Sequence, residues 1–490
     1  MVKTVEFDQI QGIVRFGYRK LTECSFLLLT IQDATAARQW LSSAPVTNAV
    51  TLTDAPQTAL QIALTHEGLR QLDCAAELLA QFSAEFQSGL GNNARARLLG
   101  DVGNSAPELW KWGTGAQSVH LLLMLYARPG GLAEWMRSLR TDKWNEAFHV
   151  VTELTTADMD GVEPFGFLDG LSQPDFDWER QRTPPSIEDT YTNQIALGEC
   201  LLGYPNEYQR YTDRPLLSPD APVAEILPEA EDHPGTRDFG RNGCYLVLRT
   251  LEQDVEGFWS FVRSQSKTNE DAEVLAAAMV GRKKDGTPMV PLSDETVPGV
   301  DKTDRLNHFN FDADPDGKQC PLGAHVRRAN PRNGDLPSPQ VTGIRRLLTL
   351  LGLERKTLQS DAKASSRFHR ILRRGREYGP PADTTPATSG TAPSGLHFIC
   401  LNANIARQFE FLQSAWIMST KFDAMSDESD PLLGSREPIE GVPPTDTFSV
   451  PREQGGRRIV CGVPRFVTVR GGAYFFLPSL PALRYLAAIR

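Results

Sequence analysis

Glu163-Pro-Phe-Gly-Phe-Leu-Asp-Gly-Leu-Ser-Gln-Pro174 sets one carboxylate, Asp169, on a loop that also holds Gly166 and Gly170. Further along, Cys320-Pro-Leu-Gly-Ala-His-Val-Arg-Arg-Ala-Asn-Pro-Arg332 sets one imidazole, His325, beside Arg327, Arg328 and Arg332. A third segment, Phe368-His-Arg-Ile-Leu-Arg-Arg-Gly-Arg-Glu-Tyr-Gly379, carries Arg373 and Arg374 side by side. These residue types divide the tasks of a redox site. A neutral imidazole nitrogen ligates a metal axially, and a loop carboxylate moves protons. A fixed guanidinium steadies developing negative charge or grips a carboxylate. Bland readings stand beside these: Asp-Gly pairs close ordinary turns, and most arginines are solvated surface charges. Only one of Arg373 and Arg374 can face a given pocket, because a one-residue step along a strand reverses the side chain.

Taken together, the three segments resemble the dye-decolourising peroxidase family, in which a Gly-x-x-Asp-Gly loop is diagnostic; here it is Gly166-Phe-Leu-Asp-Gly170. The resemblance spans essentially the whole chain, including Asp8-Gln-Ile-Gln-Gly12 and the stretch from Gly100 to Val119. Long insertions make it similar to the larger members. The resemblance implies one haem b per chain, held mainly by the C-terminal half, with His325 as iron ligand. It implies that Arg332 pairs with a haem propionate, with Arg327 and Arg328 as alternatives. Asp169 would accept a proton from one peroxide oxygen and return it to the other, and Arg373 would face the departing oxygen. Gly166, Leu168 and Gly170 would approach the cofactor closely, and Leu396 and Phe398 would line the distal pocket. Of Phe475 and Phe476, in a C-terminal signature, Phe476 would pack on the porphyrin. The implied activity is reduction of hydrogen peroxide and one-electron oxidation of aromatic, phenolic or dye-like donors, with an acidic optimum.

One departure concerns the proximal side. An iron-bound histidine usually donates its second N–H to a carboxylate or carbonyl. Relatives place an acidic residue on the helix after the Leu396 strand, where this chain has Asn404, with Glu410 further on. The partner is therefore Glu410 or a neutral group. Donors too bulky for the pocket would be oxidised through surface aromatics, for which Tyr378 and Trp416 are candidates. The rival readings are a haem-handling protein with incidental peroxidase activity and a ferredoxin-like binding protein without haem. Asp169 together with Arg373 favours the enzyme, since a carrier needs only the ligand and the propionate contacts.

The elements that position these residues show an internal duplication. Ser25 to Ile31 is an apolar strand followed by Asp33 as N-cap and a helix with Ala36, Ala37, Trp40 and Leu41; Cys244 to Thr250, Asp254, Phe258, Trp259 and Val262 repeat the pattern. Val119 to Tyr126 with Leu132, Trp135 and Leu139 corresponds to Leu396 to Leu401 with Phe409, Leu412 and Trp416. Closing strands are expected over Phe148 to Leu154 and Phe466 to Val469. This order predicts an α+β protein. With the resemblance it becomes two ferredoxin-like β-α-β halves in tandem with antiparallel sheets, residues 1–215 with the distal loop and 216–490 with His325 and Arg373. Proline-rich or polar loops are expected over 180–238, 380–395 and 426–458.

Composition bounds the function. Apolar residues make up 40 % and charged residues 23 % of the 490, an ordinary globular balance with room for more than one domain. A net charge of −10 argues against a nucleic-acid partner. No apolar run approaches the length of a membrane span. The N-terminus shows neither an apolar leader nor a twin arginine, so a cytoplasmic protein is expected. Seven scattered cysteines without a C-x-x-C spacing argue against a zinc ribbon, an iron–sulfur cluster or covalent haem attachment. The resemblance leaves the chain free to act alone or as a homo-oligomer.

Overall fold

The computed structural model describes residues 4–52, 55–181, 193–292, 305–332, 366–380, 392–437, 445–452 and 456–489. The loops expected over 180–238, 380–395 and 426–458 lie partly outside these residues.

The first half is built on β1 (Glu23–Ile31), α1 (Ala34–Ser43), β2 (Thr58–Leu64), β3 (Leu121–Ala127), α2 (Leu132–Leu139) and β4 (Phe148–Thr155). In the second half, β5 (Cys244–Gln253), α3 (Val255–Ser264), α4 (Asn269–Val280) and a short α5 (His325–Ala329) are followed by β6 (Leu372–Arg373), β7 (Arg376–Tyr378), β8 (Ser394–Asn402), β9 (Val467–Leu477) and α6 (Leu480–Ala488). Both expected N-caps form: Asp33 accepts from the Ala36 amide at 2.7 Å and Asp254 from the Gly257 amide at 2.8 Å. Ala36, Ala37, Trp40 and Leu41 are buried on α1, and Phe258 and Val262 on α3, as their spacing predicts. The helical segment after β8 is wound as π-helix over Ala406–Glu410 and Leu412–Ile417.

One nine-stranded sheet runs through the chain in the order β6-β8-β5-β9-β2-β3-β1-β4, with β7 also pairing with β8. Its pairings are antiparallel. The first half contributes β2-β3-β1-β4, and the second contributes the same arrangement as β6/β7-β8-β5-β9. These are two ferredoxin-like units joined edge to edge, through β9 and β2 at Phe476 opposite Leu64. The expected fold class describes this sheet.

Three strands escaped the periodicity. β2, Thr58-Ala-Leu-Gln-Ile-Ala-Leu64, is diluted by alanine and by Gln61, which is buried yet satisfied by Thr47 O, Leu60 O and the Ile13 amide. β6 and β7 are too short to show alternation.

Period-two geometry sorts the strand residues into apolar layers on the two faces. Leu27, Leu29, Leu60, Ile62 and Leu64 enter one with Phe476; Phe26, Leu28, Ala59, Ala63 and Phe475 enter the other. Phe476 is thereby corrected from its expected place on the porphyrin. Its ring packs on Phe82 at 5.2 Å, Phe239 at 5.7 Å and Tyr245 at 6.3 Å. The cavity lined by His325 and Asp169 meets β9 at Val467 and Val469, near the strand's start, whereas Phe476 lies about 20 Å further along it. No helix among the described residues is long and apolar enough to cross a membrane.

Phe476→Ala should therefore act on the junction of the halves. A loss of about 3–5 kcal/mol is expected for a buried aromatic, read by urea denaturation, with little change in what the cavity binds.

Candidate active site

The loop carrying Asp169 is fixed from several directions. Leu168 N–H donates to Lys284 O at 2.9 Å and Asp169 N–H to Gly161 O at 2.8 Å. Glu163 accepts from the amides of Phe165 and Phe167, each at 3.0 Å, and from Gln253 Nε2 at 2.7 Å. Burial drives the Glu163 carboxyl up to about 7, against those three donors. Gly166 and Gly170 have φ of +97° and +78°.

Arg373 reaches this loop from β6, whose residues Leu372 and Arg373 pair with Leu401 and Cys400 of β8. Gln173 grips its backbone: Arg373 N–H donates to Gln173 Oε1 at 3.0 Å, and Gln173 Nε2 donates to Arg373 O at 3.1 Å. The side chain then donates from Nη1 to Asp169 Oδ1 at 2.7 Å. Arg374 takes the other side and donates to Ile13 O at 2.7 Å and Val14 O at 3.1 Å, which resolves the choice between neighbours by strand alternation. Burial alone would raise the Asp169 carboxyl. Arg373, the Gly170 amide and the His325 ring outweigh it and hold the group below its ordinary value.

His325 opens α5. Its Nδ1 lies 2.9 Å from Asp430 Oδ2, and the other Asp430 oxygen accepts from the Leu432 and Leu433 amides at 2.9 and 2.8 Å. This leaves Nε2 for a ligand. Burial pushes the His325 ring down, but Asp430 reverses that and raises it.

His325, Asp169, Arg373, Leu168, Leu396 and Phe398 line one cavity. A single oriented imidazole, mostly apolar walls and an Asp–Arg pair form a donor set that suits a haem.

No family model matches the chain. It is 29 % identical over 99 % of its length to the dye-decolorizing peroxidase msp1 of Mycetinis scorodonius, covering 88 % of that protein. It is also 29 % identical to the multifunctional dye peroxidase DyP2 of an Amycolatopsis species, over 87 % of this chain and 82 % of that one. Among solved structures, an ancestral D-type dye decolorizing peroxidase superposes with a TM-score of 0.74 at 24 % identity, covering 99 % and 100 % of the two chains. A dye-decolorizing peroxidase complexed with 2,6-dimethoxyphenol gives 0.71 at 24 % identity with the same coverage. Over nearly its whole length the chain is thus similar to dye-decolorizing peroxidases, in sequence and in fold.

Several residues singled out by the family resemblance lie elsewhere. Arg332 is buried and does not line the cavity; it donates to Asn307 O at 2.9 Å, Phe309 O at 2.8 Å and Asn307 Oδ1 at 2.7 Å, and stacks 3.8 Å from the Phe309 ring. Its backbone, at φ +57°, has turned out of the α5 helix. Arg327 is engaged with Asp314, and Arg328 with the carbonyls of Trp416, Ser419 and Glu428. Gly166 and Gly170 do not themselves line the cavity. A Cβ at Gly166 would meet nothing within 4 Å, so positive φ is what requires glycine there.

Glu410 is not the histidine's partner. It pairs with Arg95 at 2.5 Å and accepts from the Tyr474 hydroxyl at 2.8 Å, while Asn404 accepts from the Arg407 amide at 2.9 Å. Asp430 was missed because its one signal, a carboxylate before Pro431-Leu-Leu433 in a long loop, has no fixed spacing from His325. Tyr378 stacks on His397 at 4.5 Å and Trp416 packs near His369 at 5.2 Å; neither lines the cavity.

With His325 as the iron ligand, Asp430→Asn would remove the anion that strengthens it as a donor. The haem-loaded variant should show a raised iron reduction potential and a roughly 10–100-fold loss of cofactor affinity or activity. Glu410→Gln should leave the potential unchanged; spectroelectrochemical titration checks both.

Proposed function

We propose that the chain is a haem b peroxidase, one haem per chain, that reduces hydrogen peroxide and oxidises aromatic, phenolic or dye-like donors in one-electron steps. The observation that carries this is the convergence of Asp169, Arg373 and His325 on one cavity, with Asp169 paired to Arg373 and His325 oriented by Asp430. Residues 1–215 supply the Asp169 loop; residues 216–490 supply His325 and Arg373. Phenols of the 2,6-dimethoxyphenol kind are the donors to try first.

When bound, the haem supplies the two-electron reduction of peroxide and returns the oxidising equivalents one at a time. His325 would hold the iron through Nε2. Asp169, ionised beside Arg373, would take a proton from one peroxide oxygen and deliver it to the other, which leaves as water. Arg373 keeps a fixed positive charge against that departing oxygen and needs no reorganisation to do so. Leu396 and Phe398 limit how much water reaches the pair.

This division of labour separates the enzyme from a haem-handling protein, which has no use for an ion pair over the cofactor. We also propose a cytoplasmic location, in keeping with seven unpaired thiols, of which only Cys461 is exposed.

The pH profile follows from the sign of the Asp169 shift. A carboxyl held below its ordinary 3.8 stays ionised into acid, so peroxide reduction should persist there and fall only as pH drops through that depressed value. Asp169→Asn should slow the peroxide step by about 10²–10⁴-fold. Arg373→Met should cost about 10²–10³-fold and move the acid limb to higher pH, because the neighbouring cation is gone. Stopped-flow spectra of the haem-loaded proteins from pH 2.5 to 7 read all three. An Asp169→Asn enzyme as fast as the parent would favour the haem-handling reading.

A further inference from the structure

We propose that Arg282 is a cofactor-binding residue that pairs with a carboxylate of the haem, the role that the family resemblance gives to Arg332. The proposal rests on the haem reading above and deepens it.

Position is the first argument. Arg282 follows Gly281, the end of α4, and precedes Gly286 by four residues. Gly281 backs onto the residues flanking His325: a Cβ there would lie 3.1 Å from Val326 Cβ and 3.3 Å from Ala324 Cβ. Gly286 backs onto the residues around Asp169: a Cβ there would lie 2.5 Å from Leu171 Cδ1 and 3.1 Å from Leu168 Cδ2. Arg282 thus stands where the His325 segment and the Asp169 segment meet. A flat cofactor held between those two segments would present an edge to this arginine.

Charge is the second argument. Arg249, Arg370, Arg373 and Arg465 also line the cavity; Arg249, Arg373 and Arg465 face the carboxylates of Asp101, Asp169 and Glu437, and Arg370 donates to Asn193 Oδ1 at 2.6 Å. Arg282 is only 4 % exposed and has no carboxylate partner among the described residues. It donates from Nη1 to Gly286 O at 2.7 Å and Leu306 O at 2.9 Å, and from Nη2 to Ser172 Oγ at 2.9 Å. These neutral acceptors fix its direction without cancelling its charge. Burial, with Arg332 and Arg373 nearby, pushes its pKa down to about 9. Three of a guanidinium's five donors are engaged, leaving capacity on Nε and Nη2, enough to grip one carboxylate. Arg332, by contrast, donates to Asn307 and Phe309 outside the cavity.

The experiment compares haem with its dimethyl ester, which keeps the iron and the ring but removes both negative charges. Full-length protein stripped of haem is titrated with each, following the Soret band and tryptophan quenching. The parent should bind haem more tightly than the ester. Arg282→Met should lose on the order of 30-fold or more in haem affinity while its ester affinity stays at the parent's value, and Arg282→Lys should recover part of the loss. A methionine variant that binds haem as the parent does, or that weakens for haem and ester alike, overturns the proposal and leaves the peroxidase reading standing. If that variant does not fold, the parent decides: equal affinity for haem and ester overturns it. A parent that gives no Soret band with haem overturns the peroxidase reading itself, and this proposal with it.

Discussion

The ion pair between Asp169 and Arg373 is the contact on which the geometry of the cavity depends. It joins residues 204 apart in sequence, one on a glycine-bearing loop and the other on an edge strand of the second half. Because Gln173 clamps the Arg373 backbone from the same loop, neither partner can shift alone. The pair is also why Asp169 stays ionised despite its surroundings. A carboxylate facing an apolar cavity would otherwise take up a proton and lose its value as a base. Position and protonation state thus both draw on this pair, with the Gly170 amide and the His325 ring adding to the second.

Much of the site could be read from the sequence because its chemistry is concentrated in short segments. Asp169, Arg373 and His325 stand in stretches whose residue types are unusual together, and the structure brings all three to one cavity. Leu396 and Phe398 were legible through strand alternation. Legibility failed where direction, rather than type, decides. Arg332 lies in the right segment, yet a left-handed backbone angle turns it onto Asn307 and Phe309. Phe476 lies in a readable strand, but far along it from the cavity. Asp430 meets His325 across 105 residues, and no spacing rule connects a loop carboxylate to a helix-borne imidazole. At the level of the fold, the duplicated strand-and-helix pattern was visible, whereas β2 was masked by alanine and a buried glutamine.

The arginine clusters show how a polar sequence signal can be structural. Arg327, Arg328, Arg332 and Arg374 are buried or nearly so, and each reaches backbone carbonyls of another segment. A guanidinium with five donors can tie several carbonyls at once, which suits loops that lack sheet partners of their own. The cost is desolvated positive charge, offset for Arg327 by Asp314. Loops are stitched by this means around a cavity whose walls come from both halves.

The edge-to-edge joining of the halves has a consequence for biosynthesis. The four strands of the first half have all left the ribosome once Thr155 is made, but the flank of β2 stays unpaired until β9, which ends at Leu477, emerges. An unpaired strand flank is a template for misassembly between nascent chains. Asp169, likewise, waits through some two hundred residues of translation before Arg373 arrives. The two sides of the cavity can therefore meet only late in synthesis, and the interval before that is when the β2 flank lies open.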